Sequence, residues 1–160
     1  MSDVIVPIIM GSKSDLEHGQ KIANALAKMD IPSEIRVGSA HKVAHFLLGV
    51  LEAYEQDPRP KVYVTIAGRS NALSGLVDAH VSAPSIACPP PSNSFGGNDI
   101  YSSLRMPSGV APAVVLEPSN AALLAAKILG LSVPRCAAAV KQAQADAREK
   151  VLTADKELNP

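Results

Sequence analysis

The stretch Gly38-Ser39-Ala40-His41-Lys42 sets an imidazole beside an ammonium group at what reads as the end of a strand and the start of a helix. An imidazole titrates near neutral pH and can take or give a proton at a reacting atom. An isolated histidine is commonly a satisfied surface or core residue, so His41 gains its weight from its company. Gly11-Ser12-Lys13-Ser14-Asp15 and Ala67-Gly68-Arg69-Ser70-Asn71 also follow apolar runs and precede helix-like segments. Hydroxyls, backbone amides and cationic side chains at helix starts are the groups that hold an anion. Turns of this kind meet at the carboxyl edge of a parallel sheet, where α/β proteins bind their ligands.

The elements that must position these loops follow from the apolar pattern. Val4-Ile5-Val6-Pro7-Ile8-Ile9-Met10 is nearly unbroken, as in a parallel strand covered on both faces. Pro7 lacks a ladder donor, so that donor is unused there or the strand is locally irregular. A helix follows from Asp15 to about Met29, with Leu16, Ile22, Ala23, Leu26 and Met29 at helical spacing. For Ser12, Ser14 and Asp15 the plainer role is helix capping; for Asp15 capping and ligand binding stand level, and beside the other loops Ser12 is read as a ligand-binding residue. The loop is not a nucleotide-binding P-loop, whose glycines would fall on Pro7 and Ser12.

Ser33 to Val37 is a second strand, and the helix after His41 shows Val43, Phe46, Leu47, Val50, Leu51 and Tyr54 at intervals of three and four. His45, one turn after His41, lacks the glutamate and further ligands of a metal site and reads as a helix-surface residue. Lys61 to Ala67 is a third strand. Gly68 permits close backbone approach to a ligand, and His80 closes the next helix as a helix-end or interface residue. After the Ser85 to Cys88 strand, Pro89-Pro90-Pro91 is rigid and a candidate for a cis bond, ahead of a loop from Ser92 to Asn98 with a flexible Gly96-Gly97 pair. A short helical turn within Asp99 to Gly109, a fifth strand from Val110 to Leu116 and an apolar helix from Ser119 to Leu131 complete a core spanning residues 1–134. The last segment, 135–160, carries Val140, Ala143, Ala147, Val151, Ala154 and Leu158 on a narrow stripe that suits an oligomer arm of the same domain, or else a solvated terminal helix.

With 160 residues and 47% hydrophobic content, one domain of α/β class with a parallel sheet accounts for the chain. Fifteen Lys plus Arg balance fifteen Asp plus Glu, so the overall field offers nothing to nucleic acid or an anionic membrane, and 3% aromatic content argues against base stacking. Cys88 and Cys136 lack metal spacing and read as reduced buried thiols. Met1-Ser2-Asp3 leads into a strand with no signal-like region, and no apolar run approaches the roughly 20 residues of a membrane span, so a cytoplasmic protein is expected.

Taken together, Met10-Gly11-Ser12-Lys13-Ser14-Asp15, Arg36-Val37-Gly38-Ser39-Ala40-His41-Lys42, the glycine loop at Gly68, Ser102-Ser103-Leu104-Arg105-Met106-Pro107-Ser108-Gly109 and Asn120-Ala121-Ala122-Leu123-Leu124-Ala125 make the chain resemble the PurE family, the phosphoribosylaminoimidazole carboxylases of purine biosynthesis. The likeness extends over nearly the whole chain. Class I members, mutases of the N5-carboxylated nucleotide, read Ser-Ala-His-Arg at the second corner and Gly-Gly-Ala-Ala-His-Leu-Pro-Gly at the third loop. Here Lys42 stands for that arginine and Ala72 for that histidine, so the chain is similar to class II, which carboxylates aminoimidazole ribonucleotide (AIR) directly with carbon dioxide and also forms the carboxylase half of a bifunctional animal enzyme.

The resemblance implies a flavodoxin-like three-layer α/β/α sandwich assembled as a homo-octamer. It implies reversible conversion of AIR and CO2 to 4-carboxy-AIR (CAIR) without ATP, metal or cofactor, with His41 as general acid and base. Phosphate would be shared by Ser12, Lys42, Arg69 and Ser70, a ribose hydroxyl would meet Asp15, and Ser39, Ala40 and Gly68 would line the ring and CO2 pocket. Arg105 would reach the site or, better, pair across an interface. The competing readings are class I mutase activity and a flavodoxin-like module that binds a phosphorylated ligand without chemistry.

Overall fold

The structure, a computed structural model, describes residues 3–159; Met1 and Ser2, the start of the amino terminus read above, and Pro160 lie outside the described residues. Five parallel strands, β1 (Val6–Met10), β2 (Ser33–Val37), β3 (Tyr63–Ile66), β4 (Ser85–Ala87) and β5 (Ala113–Val114), stand in the order β2-β1-β3-β4-β5. That is the flavodoxin-like order, whose switch point lies beside the first strand. Helices α1 (Leu16–Ala27), α2 (Ala44–Glu55), α3 (Ala72–His80), α4 (Tyr101–Leu104), α5 (Pro118–Leu129) and α6 (Pro134–Leu158) complete the chain.

Alternation along the strands divides the interior into two cores. Val4, Val6, Ile8 and Met10 join Val62, Val64 and Ile66 against Ile22 and Leu26 of α1 and the alanines of α5. Ile5, Ile9 and Tyr63 face the other way, against Leu47, Leu51 and Tyr54 of α2 and Leu73 and Val77 of α3. Side chains of period two supply both faces of one sheet, which makes three layers. Each fully buried Ile or Leu contributes about 1.5–3 kcal/mol. Small alanines let α5 lie close to the sheet: Ala121, Ala122, Ala125 and Ala126 are all fully buried.

Pro7 sits in a central strand and is accommodated by a gap. Val6 N–H donates to Pro32 O toward β2 (3.0 Å), while Ile5 N–H and Gly11 N–H donate toward β3, to Pro60 O (3.1 Å) and Ile66 O (2.9 Å). By that alternation Pro7 faces β3. Pairing with the β3 side is an isolated bridge at Ile5 and Lys61 and resumes as a ladder only at Ile8 and Val64, so the missing donor falls in the interruption.

Several boundaries differ from expectation. α1 stops at Ala27 because Asp30 turns left-handed (φ 54°) and Ile31 N–H returns to Leu26 O (3.0 Å). β3 is confined to Tyr63–Ile66, and β5 is two residues between Pro112 and Pro118, too short to be the seven-residue strand that its apolar letters suggest. All peptide bonds of the described residues are trans, the triproline included. The segment expected to be a loop from Ser92 to Asn98 contains a 3-10 turn, Ser94–Ile100, kinked by positive φ at Phe95, Gly96 and Gly97. On α2, Val43 and Phe46 are exposed (46% and 53%), because only the narrower Leu47, Leu51, Tyr54 stripe meets the sheet. On α6, Cys136 and Val140 are buried, and every described residue from Asp146 onward is exposed.

Both cysteines are buried free thiols. Cys88 at the end of β4 meets α1 through His18, whose Nε2 lies 3.4 Å from Sγ, while Sγ–H is directed at Leu116 O (3.7 Å). Burial and the neighbouring Glu117 push the Cys88 thiol up to about 12. Burial is also the largest influence on His18 and holds its imidazole below the usual 6.5.

Two measurements check this packing. A Cβ on Gly130, between α5 and α6, would sit 3.0 Å from both Ala137 N and Ala137 Cα, backbone atoms that cannot rotate aside. Gly130→Ala therefore costs about 1–3 kcal/mol, a loss of roughly 2–10 °C in melting temperature. For His18 the folded state prefers the neutral ring, so below the unfolded value of 6.5 the unfolded chain binds more protons and stability falls as pH falls. In His18→Gln, urea midpoints should change less between about pH 5 and 6.5 than in the parent protein.

Candidate active site

Each of the first three strands ends in one of the chemistry-bearing loops. After β1, Ser12 Oγ accepts from Ser14 N–H (3.2 Å) and Ser14 Oγ–H (2.9 Å), capping the 3-10 turn Lys13–Asp15 that leads into α1. Asp15 occupies the position before α1, where its side chain makes no capping hydrogen bond. It is partly buried, and desolvation raises its pKa above the usual carboxylate value against the opposing pull of His18 and Arg69.

After β2, Gly38 N–H donates to Met10 O (2.8 Å), which carries the sheet one residue beyond the strand. A Cβ on Gly38 would sit 3.0 Å from Leu47 Cδ1, so glycine lets the corner lie against α2 without displacing that side chain. Ser39 then organises the turn: its Oγ accepts Lys42 N–H (3.3 Å) and its carbonyl accepts Val43 N–H (3.0 Å). The result leaves the side chains of His41 and Lys42 exposed, at the mouth of the sheet edge.

After β3, Gly68 is followed by Arg69 in the left-handed region (φ 60°). Asn71 caps α3, its Oδ1 accepting Ser74 N–H (3.0 Å), and its Nδ2 donates to Ser103 Oγ (2.9 Å). The loop is thus held at both ends.

The three loops enclose one cavity of about 500 Å³. The nine residues given catalytic or binding roles on the resemblance line it: Ser12, Asp15, Ser39, Ala40, His41, Lys42, Gly68, Arg69 and Ser70. Lys42 and Arg69 bring positive charge, Asp15 a carboxyl, His41 a titratable ring, and Ala40, Ala67 and Leu73 an apolar wall. Such a mixture orients a small polar ligand while keeping part of it dry. Among the described residues no group of three or more His, Cys, Asp or Glu is placed to hold a metal ion.

A fourth contribution escaped the sequence reading. Pro90, Pro91, Ser92 and Ser94, which follow β4, close the remaining side. The proline run was visible as a rigid element; its place opposite His41 depends on strand order. Ser14 and Leu73 also line the cavity, one inside a loop already noted and one on the first turn of α3. His45, His80 and Arg105 do not line it. His80 closes α3 with Nδ1 2.7 Å from Leu76 O, and Arg105 is exposed after α4. No helix of the described residues is long and apolar enough to cross a membrane.

Comparison with known proteins points one way. The phosphoribosylaminoimidazole carboxylase of Treponema denticola is 54% identical over 96% of this chain and 97% of its own length, and that of Archaeoglobus fulgidus is 52% identical over 94% and 83%. The mouse bifunctional phosphoribosylaminoimidazole carboxylase/phosphoribosylaminoimidazole succinocarboxamide synthetase is 43% identical over 79% of this chain, a match that takes up 30% of the mouse protein. The crystal structure of Treponema denticola PurE superposes with a TM-score of 0.95 at 54% identity, covering 98% of this chain and 99% of that one. A family model described as AIR carboxylase matches residues 5–150, and on these similarities the chain belongs to the AIR carboxylase family.

Proposed function

We propose that this chain is a class II carboxylase of purine biosynthesis, converting AIR and CO2 reversibly to CAIR without ATP. The observation that carries the reading is the convergence of His41, Lys42, Arg69 and Asp15 on one cavity at the carboxyl edge of the sheet. The names of its relatives, and the Lys42 and Ala72 positions that set it apart from the class I pattern, support it further.

In this mechanism the exocyclic amine of AIR feeds electron density into the imidazole ring, and C4 attacks the carbon of CO2. A C4–C bond forms while one C–O π pair moves onto oxygen to give the carboxylate. C4 then carries both hydrogen and carboxylate. His41 removes that proton, the C–H pair returns to the ring, and aromaticity is restored. In reverse, the protonated imidazole delivers the proton to C4 and CO2 departs. Ser12, Lys42, Arg69 and Ser70 hold the phosphate through hydroxyls, backbone amides and positive charge. Asp15, on the wall of the cavity, takes a ribose hydroxyl. Ser39, Ala40 and Gly68 line the ring and CO2 pocket, and anchoring by the phosphate turns an encounter with a dilute gas into an oriented one.

The chain works as a homo-oligomer, an octamer by resemblance, in the cytoplasm, with 135–160 as an arm of the 1–134 core. Val151, Leu152 and Leu158 are 69%, 54% and 80% exposed on the projecting half of α6, a stripe that a neighbouring subunit would cover. Removing residues 146–160 should lower the number of subunits per assembly in light scattering; an unchanged number would mean that the arm joins nothing.

The decisive assay supplies AIR with bicarbonate, or the N5-carboxylated nucleotide, each without ATP. Product from AIR alone is expected; product only from the N5-carboxylated nucleotide would make the chain a class I mutase, and product from neither a binding module. His41→Asn should lower kcat by about 10²–10⁴-fold with AIR binding kept. Lys42→Ala should raise the KM for AIR on the order of tenfold, read from initial rates.

A further inference from the structure

Arg69 is an arginine in a conformation that usually selects glycine. Its φ of 60° is strained for an L residue, so surrounding contacts must hold it there. Those contacts come from a segment that does not line the cavity. Arg69 N–H donates to Asp99 Oδ2 (3.0 Å), across 30 residues of sequence. Ser102 Oγ accepts Asn71 N–H (2.9 Å) and lies 3.2 Å from Arg69 O and 2.7 Å from Asp99 O as a donor. Ser103 Oγ takes the Asn71 amide. Arg69 N–H, Asn71 N–H and the Asn71 side-chain amide are therefore engaged by the stretch from Asp99 to Ser103, while the one Ser102 hydroxyl proton goes to the nearer Asp99 O in preference to Arg69 O.

We infer that Asp99 and Ser102 are positioning residues, a latch that keeps the 69–71 loop in the one backbone conformation from which the Arg69 guanidinium faces a phosphate ester bound in the cavity. This rests on the phosphate role given to Arg69 above. A glycine would adopt the same φ without strain, so the contacts from Asp99 and Ser102 offset a cost that the arginine brings and a glycine would not. The latch also joins two walls of the site. The chain that supplies Pro90, Pro91, Ser92 and Ser94 to the cavity continues through positive φ at Phe95, Gly96 and Gly97 straight to Asp99. Asp99 accepts a main-chain N–H, so its work is geometric and an amide oxygen should do it as well as a carboxylate.

The test is calorimetric titration with ribose 5-phosphate, together with AIR carboxylation kinetics. Asp99→Ala and Ser102→Ala should each weaken ribose 5-phosphate binding about fivefold and raise the KM for AIR by a similar factor, with kcat held within about twofold. Asp99→Asn should bind like the parent. Arg69→Gly keeps the N–H and relieves the strain, so it should melt within about 3 °C of the parent yet bind more weakly, and adding Asp99→Ala to it should weaken binding no further. If Asp99→Ala fails to fold, Ser102→Ala decides alone. Equal losses from Asp99→Asn and Asp99→Ala, an additive double variant, a fall in kcat at constant KM, or a parent protein that does not bind ribose 5-phosphate would each overturn the latch. A parent protein that shows the binding pattern but never carboxylates AIR would overturn the proposed reaction and leave the latch standing.

Discussion

Two backbone hydrogen bonds at the end of the central strand set the geometry of everything else: Gly11 N–H to Ile66 O (2.9 Å) and Gly38 N–H to Met10 O (2.8 Å). They lie just beyond the last paired residues, where Met10 is in register with both Val37 and Ile66. Three strands consequently finish at one level, and the loops that leave them start within a peptide unit of each other. Parallel pairing alone brings this about, since it gathers all the carboxyl ends on one side. Buried apolar faces on both sides of β1 and β3 keep the register from slipping, because a shift of one residue would exchange the two cores.

The cavity inherits its character from that level edge. Each loop departs through a short turn with its own internal brace: Ser12 for the first, Ser39 for the second, Asn71 for the third. These residues use hydroxyl or amide oxygens on backbone N–H groups, which leaves His41 and Lys42 free to face outward and Arg69 to be set by the segment beyond β4. Charge is concentrated there although the whole chain is neutral. A ligand would be selected by a few groups at short range, with little steering from a distance.

Much of this was legible in the residues, for physical reasons that can be named. β2 begins after Pro32 and ends before Gly38, both strong punctuation, and its range was read without error. α6 opens at Pro134, one residue before the start at Arg135 that the letters suggest, since proline suits the first turn of a helix. The three loops stood out because glycine and serine follow buried apolar runs, the pattern that a strand ending at a ligand imposes. What stayed hidden depends on contacts between distant parts of the chain. The Pro90 to Ser94 wall needs the position of β4 in the sheet, and the bond from Arg69 to Asp99 needs two loops to meet. Phe46 and Val43 fit a helical stripe as letters, yet the sheet is too narrow at β2, an edge strand, to cover them. β5 shows the converse: an apolar run from Val110 to Leu116 cannot pair along its length with Pro112 inside it.

The burial of both thiols has a practical side. Near neutral pH a group pushed up to about 12 is ionised in only about one molecule in 10⁵, and Cys88 has no path to solvent in any case. Cys136 is shielded in the same way at the start of α6. Maleimides and mild peroxide should therefore pass the folded chain by, and a cysteine introduced on the rim of the cavity would take a fluorophore without first removing the native pair.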